Sequence, residues 1–83
     1  MKLKDTVNLM LSDDFKERFK AEYWQTKIRY NKLHKMVINY EAGTLPFKPT
    51  CSLEQLKAQK SLMGQYLYLL EVRAIKEGIK LGD

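Results

Sequence analysis

Residues Phe19 to Met36 read FKAEYWQTKIRYNKLHKM, four aromatic rings set among lysine, arginine and histidine side chains. Helical spacing sorts this mixture. Phe19, Tyr23, Thr26, Tyr30, Leu33, Val37 and Tyr40 recur at alternating intervals of four and three residues. That is the seam of a long helix packed nearly parallel or antiparallel to another.

The ends of the helix are legible on either side of the seam. Ser12 followed by Asp13 and Asp14 places a capping hydroxyl and then acids at the positive end of a helix dipole. Glu41-Ala42-Gly43 is a stop signal, because glycine takes the left-handed conformation that closes a helix. The reading is a long helix over 13–42. The next segment, TLPFKPT, holds both prolines and no period, so 43–51 is expected to be an extended connector with Leu45 and Phe47 tucked against helix ends. Ser52, with Gln55 three residues on, opens a second long helix over 52–79. Its seam is read as Leu56, Gln59, Met63, Tyr66, Leu70 and Arg73, and Gly78 and Gly82 end it. Ahead of both, Leu3, Val7, Met10 and Leu11 fall on one stripe and predict a short N-terminal helix or arm over 1–11. The fold expected is all-α: one helical domain, residues 1–83, built as an antiparallel helical hairpin of two long helices with a short N-terminal helix.

A chain of 83 residues leaves much of its surface in water as a monomer, and a single cysteine offers no disulfide to compensate. One cysteine suits a reducing compartment. The start MKLKDTVNLML is too short and interrupted for a membrane span and has no signal-peptide core, so a cytoplasmic location is expected, with no membrane partner. Fifteen Lys and Arg against ten Asp and Glu give a net charge of +5, which favours anionic partners. Apolar residues also exceed what two seams can hide. Trp24, Ile28 and Ile38 lie off the first seam and Leu62, Leu69 and Val72 off the second. A second interface is the usual remedy, so a homo-oligomer is expected, with dimerisation as its elementary step and Trp24, Ile28, Leu62 and Leu69 in the interface.

No catalytic constellation emerges. His34 is the only histidine, with Tyr30 and Tyr40 the hydroxyls near it in sequence, and it reads as a partly exposed helix residue. Cys51 precedes a helix start without a His or Cys partner and reads as an incidental thiol. There is no phosphate-cradling glycine loop and no metal-ligand motif, so neither an enzyme nor a cofactor is expected. Two basic strips remain on the first helix. Lys20, Trp24, Lys27, Asn31 and Lys35 share one face; Arg18, Glu22, Arg29 and Lys32, headed by Phe15, share another. An aromatic plane beside ammonium groups suits a base-plus-phosphate ligand, although lysines on a long helix are commonly its solvated face. Arginine is confined to Arg18, Arg29 and Arg73, too sparse for a duplex-binding helix, so no duplex nucleic acid is expected.

The second helix carries a resemblance. Gln59-Lys60-Ser61-Leu62-Met63-Gly64-Gln65-Tyr66, then Leu70 and Arg73, resembles the Q-L-x-x-M-x-x-Y-x-x-x-L-x-x-R signature of very small phage-encoded helical proteins. Phe15-x-x-Arg18-x-x-x-Glu22 is similar to their Y-x-x-R-x-x-x-E, and Lys32-Leu33 to their K-L. Near that group stand the phage anti-CBASS sponges, compact helical oligomers that sequester cyclic oligonucleotide messengers. The resemblance implies a binding protein without turnover, an oligomer up to a hexamer, and a ligand pocket between protomers. It assigns Phe15, Arg29, Lys32 and Arg73 to ligand binding. Phe15 replaces a tyrosine, which removes a hydroxyl and keeps a stacking ring; Lys60 replaces an apolar residue. The leading expectation is therefore a counter-defence protein sequestering a cyclic di- or trinucleotide in an infected bacterial cytoplasm. The alternative is an anti-CRISPR-like inhibitor that blocks a host effector by protein–protein contact, and a third is an assembly helper.

Overall fold

The computed structural model describes residues Met1–Gly82. Among them all regular structure is helical. A 3-10 turn over Leu3–Thr6 runs into the short helix α1 (Val7–Met10), followed by α2 (Phe15–Ala42) and α3 (Leu53–Lys76). At about 1.5 Å per residue the 28 residues of α2 account for the molecule's longest dimension, 43 Å.

The caps fix where the long helices begin and end. Asp14, not Ser12, caps α2: its backbone is still extended, and its carboxylate accepts the Lys16 N–H at 2.9 Å. Ser12 stands two residues outside, accepting the Asp14 N–H at 3.1 Å and donating to the Glu17 carboxylate at 2.6 Å. At the other end Gly43 adopts φ 75°, and the Gly43 and Thr44 N–H groups bond back to Tyr40 and Asn39. Ser52 caps α3 by accepting the Gln55 N–H at 3.1 Å. After α3 the chain reverses at Gly78, φ 69°, and Ile79 donates to the Ala74 carbonyl at 2.8 Å. This reversal folds the C-terminal tail back onto the helix pair and buries Ile79.

Contacts between α2 and α3 run in reverse order. Tyr23 meets Glu71, Tyr30 lies beside Gly64, His34 meets Lys60, and Glu41 pairs with Lys57. Residue numbers rise along α2 as they fall along α3, so α3 returns along α2. Two apolar clusters hold the pair. One joins Phe19, Tyr23, Leu67, Leu70, Ala74 and Ile79; the other, nearer the connector, joins Leu33, Val37 and Leu56.

Three expectations from the sequence are corrected. On α3 the buried positions include Leu67 and Ala74, while Gln59, Tyr66 and Arg73 are exposed. Leu56, Met63 and Leu70 belong to both seam frames, and the packed frame follows each shared position by four residues rather than three. In the N-terminal arm Val7, Met10 and Leu11 face water, while Thr6 is wholly buried. The 3-10 start shifts the helical phase, and the Thr6 hydroxyl is satisfied by donating to Leu3 O at 2.7 Å and accepting from Gln25 at 3.2 Å. In the connector Leu45 is half-buried but Phe47 is exposed. No helix among the described residues is long and apolar enough to cross a membrane.

Candidate functional site

Phe15, Arg18, Glu22, Gln25, Arg29 and Lys32 follow one another on α2 at intervals of three and four, which sets them along one strip. The N-terminal arm lies on the first half of this strip. Arg18 donates to the Ser12 carbonyl at 2.7 Å, and the Gln25 amide reaches both the Thr6 hydroxyl and the Met10 sulfur. Arm and helix enclose a groove of about 290 Å³ lined by Met10, Arg18, Glu22 and Gln25. Beyond the arm the strip is open. Arg29 and Lys32 are exposed and form no ion pair among the described residues. At its start the Phe15 ring is also exposed. One strip thus offers an aromatic face, a groove and two unneutralised cations.

Arg73 comes from α3, and it reaches α2 near the start of that strip. Its guanidinium lies 4.9 Å from the Phe19 ring centroid and its Nε donates to Glu77 at 3.0 Å. The carboxylate offsets much of its charge and the ring supports its stem, so Arg73 is held in place but not free of partners. The structure therefore brings Phe15, Arg29 and Lys32 onto one helix face, and sets Arg73 of α3 over Phe19, one helical turn along α2 from Phe15, with Glu77 as its ion-pair partner.

The residues expected at an oligomer interface divide as well. Leu62 and Leu69 are more than half exposed, and with Tyr66 they form an apolar row at helical spacing. Ile28 is half-buried. Trp24 has a partner inside its own chain: the ring packs against the Phe19–Leu70 cluster, edge-on to Tyr23 at 5.2 Å, and its indole N–H donates to the Leu81 carbonyl at 2.7 Å. The C-terminal tail covers the surface that the sequence reading left for a neighbour.

A group that sequence reasoning did not bring together lies on the opposite edge. The Lys27 ammonium is 5.9 Å from the Tyr30 ring, Tyr30 and His34 lie parallel with centroids 6.1 Å apart, and Lys60 Nζ is 3.0 Å from His34 Nδ1. The signal that would have found it is Gly64. A glycine in the interior of α3 costs helix stability, and here a Cβ would stand 3.3 Å from the Tyr30 ring. Further along this edge the Tyr23 hydroxyl donates to Glu71 at 3.0 Å. Burial, that hydrogen bond and the carboxylate's charge push the Tyr23 phenol up to about 12. Glu41 and Lys57 close the edge at 2.7 Å; their bond and mutual attraction lower the carboxyl's pKa and raise the ammonium's. No cluster of three or more His, Cys, Asp or Glu able to hold a metal occurs among the described residues.

A protein-family model described as Sequestin matches residues 13–76. The match takes in both long helices and their connector, and leaves out the N-terminal arm and the C-terminal tail. No curated protein matches the chain, and no solved structure does.

Proposed function

The chain belongs to the Sequestin family, and from that premise we propose that it is a non-enzymatic sponge, which holds a phosphorylated signalling ligand and releases it unchanged. The ligand in this reading is a cyclic di- or trinucleotide, and the setting is the cytoplasm of a phage-infected bacterium, where sequestration would silence CBASS-type defence. The observation that carries the ligand class is the pair Arg29 and Lys32, exposed and without acidic partners on the strip headed by Phe15. Two cations with no carboxylate between them attract phosphates, and an exposed ring offers a stacking face for a base. A sponge needs affinity without turnover, so it needs no nucleophile or general base.

In the same reading the helix pair is an antiparallel hairpin that assembles as a homo-oligomer through the row Leu62, Tyr66 and Leu69. Symmetric assembly would bring basic strips of neighbouring protomers together and concentrate a modest charge per chain. The test is a thermal-shift and calorimetry screen with cyclic di- and trinucleotides. A ligand at a hundred times its dissociation constant should add about 2.7 kcal/mol of stability. Arg29→Ala and Lys32→Ala should each reduce that gain while light scattering reports an unchanged assembly. Stabilisation by linear nucleotides alone would move the ligand class, and no stabilisation by any nucleotide would end the sponge reading.

The same exposed row favours a second reading, an inhibitor that docks on a host effector through Leu62, Tyr66 and Leu69. A stable monomer at micromolar concentration with no nucleotide response would favour it.

A further inference from the structure

The N-terminal arm is fastened to a side chain that belongs to the ligand strip. Of Phe15, Arg18, Glu22, Gln25, Arg29 and Lys32, Gln25 is half-buried and the other five are exposed. The arm is what withdraws it. The Gln25 amide donates to the Thr6 hydroxyl at 3.2 Å and reaches the Met10 sulfur, and Met10 walls the groove beside it. Gln25 also stands one helical turn before Arg29, so the two side chains are neighbours along the strip. Glu22 lies on the other side of Gln25, away from Arg29.

Little holds the arm down. Thr6 is its one buried residue; Leu3 and Leu9 are half-buried, and Val7, Met10 and Leu11 are exposed. Neither ion pair among the described residues, Glu41–Lys57 or Arg73–Glu77, involves it. A segment with so few buried apolar contacts lies at the low end of local stability and opens before the core does. Its base is firm by comparison. Ser12 accepts the Asp14 N–H, donates to Glu17, and takes the Arg18 guanidinium on its carbonyl. The arm can therefore swing at the exposed Leu11 turn while the cap of α2 stays intact.

We propose that the arm is an autoinhibitory strap latched by Gln25. Docked, it occupies the Gln25 amide; lifted, it releases that amide as a further donor to an anion held at Arg29 and Lys32. The strap deepens the sponge reading and rests on its assignment of the strip. Arm and ligand compete for one group, so each weakens the other by the same factor. Affinity is then set by the fraction of molecules whose arm is lifted.

Hydrogen exchange reads the strap without ligand. A one-turn helix has no stability of its own, so the Leu11 amide, bonded to the Val7 carbonyl, is protected only while the arm is docked. It should exchange far faster than the amides at the centre of α3. Thr6→Val removes the hydroxyl that Gln25 binds and should speed this exchange about fivefold, the factor for one hydrogen bond. The same variant should bind inorganic tripolyphosphate about fivefold more tightly at constant ionic strength. Met10→Ala, which removes the other contact to Gln25, should move both readouts the same way even where valine packs well enough to keep the arm docked. Tripolyphosphate should in turn speed exchange at Leu11 in the wild type. The probe carries no base, so a failed cyclic-nucleotide screen with these results intact would remove the sponge's ligand and leave the strap. Protection of Leu11 equal to that of central α3, or faster exchange in both variants with unchanged binding, would overturn the proposal. So would slower exchange at Leu11 with the probe bound, or no saturable binding by the wild type and either variant.

Discussion

Along one edge of the helix pair, Tyr23, Tyr30, His34 and Glu41 of α2 each meet a group of α3, at Glu71, Gly64, Lys60 and Lys57. Along the other, Phe15, Arg29 and Lys32 of α2 and Leu62, Tyr66 and Leu69 of α3 are exposed. Both edges draw on aromatic and basic side chains, but the first adds the carboxylates of Glu41 and Glu71, which bond across it, and the second adds leucines with no partner among the described residues. The absence of a Cβ at Gly64 adds to the difference, because it leaves room for the Tyr30 ring on the first edge. The open edge keeps its side chains for something outside the chain or for the N-terminal arm.

The largest expected effect tests the frame that divides buried from open positions. Leu70 is 1% exposed and its chain neighbour Leu69 is 57% exposed. Leu70→Ala should cost about 2–5 kcal/mol in urea denaturation, and Leu69→Ala about 0.5 kcal/mol or less in dilute monomer. Equal costs would break the comparison. A Leu69→Ala cost that grows with protein concentration would instead sharpen it, by placing a second copy on the open edge.

Gly64→Leu comes next. A branched side chain would meet the Tyr30 ring where a Cβ alone already stands at 3.3 Å, so the closed edge must spread. Destabilisation of about 1–3 kcal/mol is expected, despite the gain in helix propensity, and loss of the Tyr30–His34 nuclear Overhauser contacts would locate it.

Tyr23→Phe should cost about 1 kcal/mol by removing the hydrogen bond to Glu71. It also carries a pH signature. The Tyr23 phenol is raised from 10.0 to about 12, so folding favours its protonated form. Its contribution is complete below pH 10 and is lost as pH rises through 12. The wild type should therefore lose stability over that window faster than Tyr23→Phe does; parallel denaturation midpoints would show that the bond contributes nothing.

The smallest effect is expected at Glu41 and Lys57, both about half exposed. Glu41→Gln should leave the denaturation midpoint unresolved from wild type at 0.5 M salt, where such pairs are screened.

The sequence made the α2 seam and its glycine stop legible because one periodicity ran through seven positions without competition. On α3 two heptad frames shared Leu56, Met63 and Leu70, and nothing local chose between Gln59, Tyr66, Arg73 and Lys60, Leu67, Ala74. That choice belongs to the partner helix, through Tyr23 and Tyr30. The strip of Phe15, Arg29 and Lys32 was legible from spacing alone. The placement of Trp24 was not, because the segment that covers it, Ile79 to Leu81, follows a glycine reversal and has no period of its own. The arm misled for a related reason: Leu3, Val7, Met10 and Leu11 form a stripe only if its helix keeps α-helical phase from Leu3, and the 3-10 turn removes that phase.

The bond from Trp24 to Leu81 joins positions 57 apart in the chain. Trp24 is the only tryptophan, so the protein carries a built-in optical gauge of its C-terminal tail. Undocking of Ile79 and Leu81 would wet the indole and shift its emission to the red while both long helices kept their circular dichroism. The last stretch of the polypeptide can thus be watched separately from the helices it closes, in a cuvette and without a label.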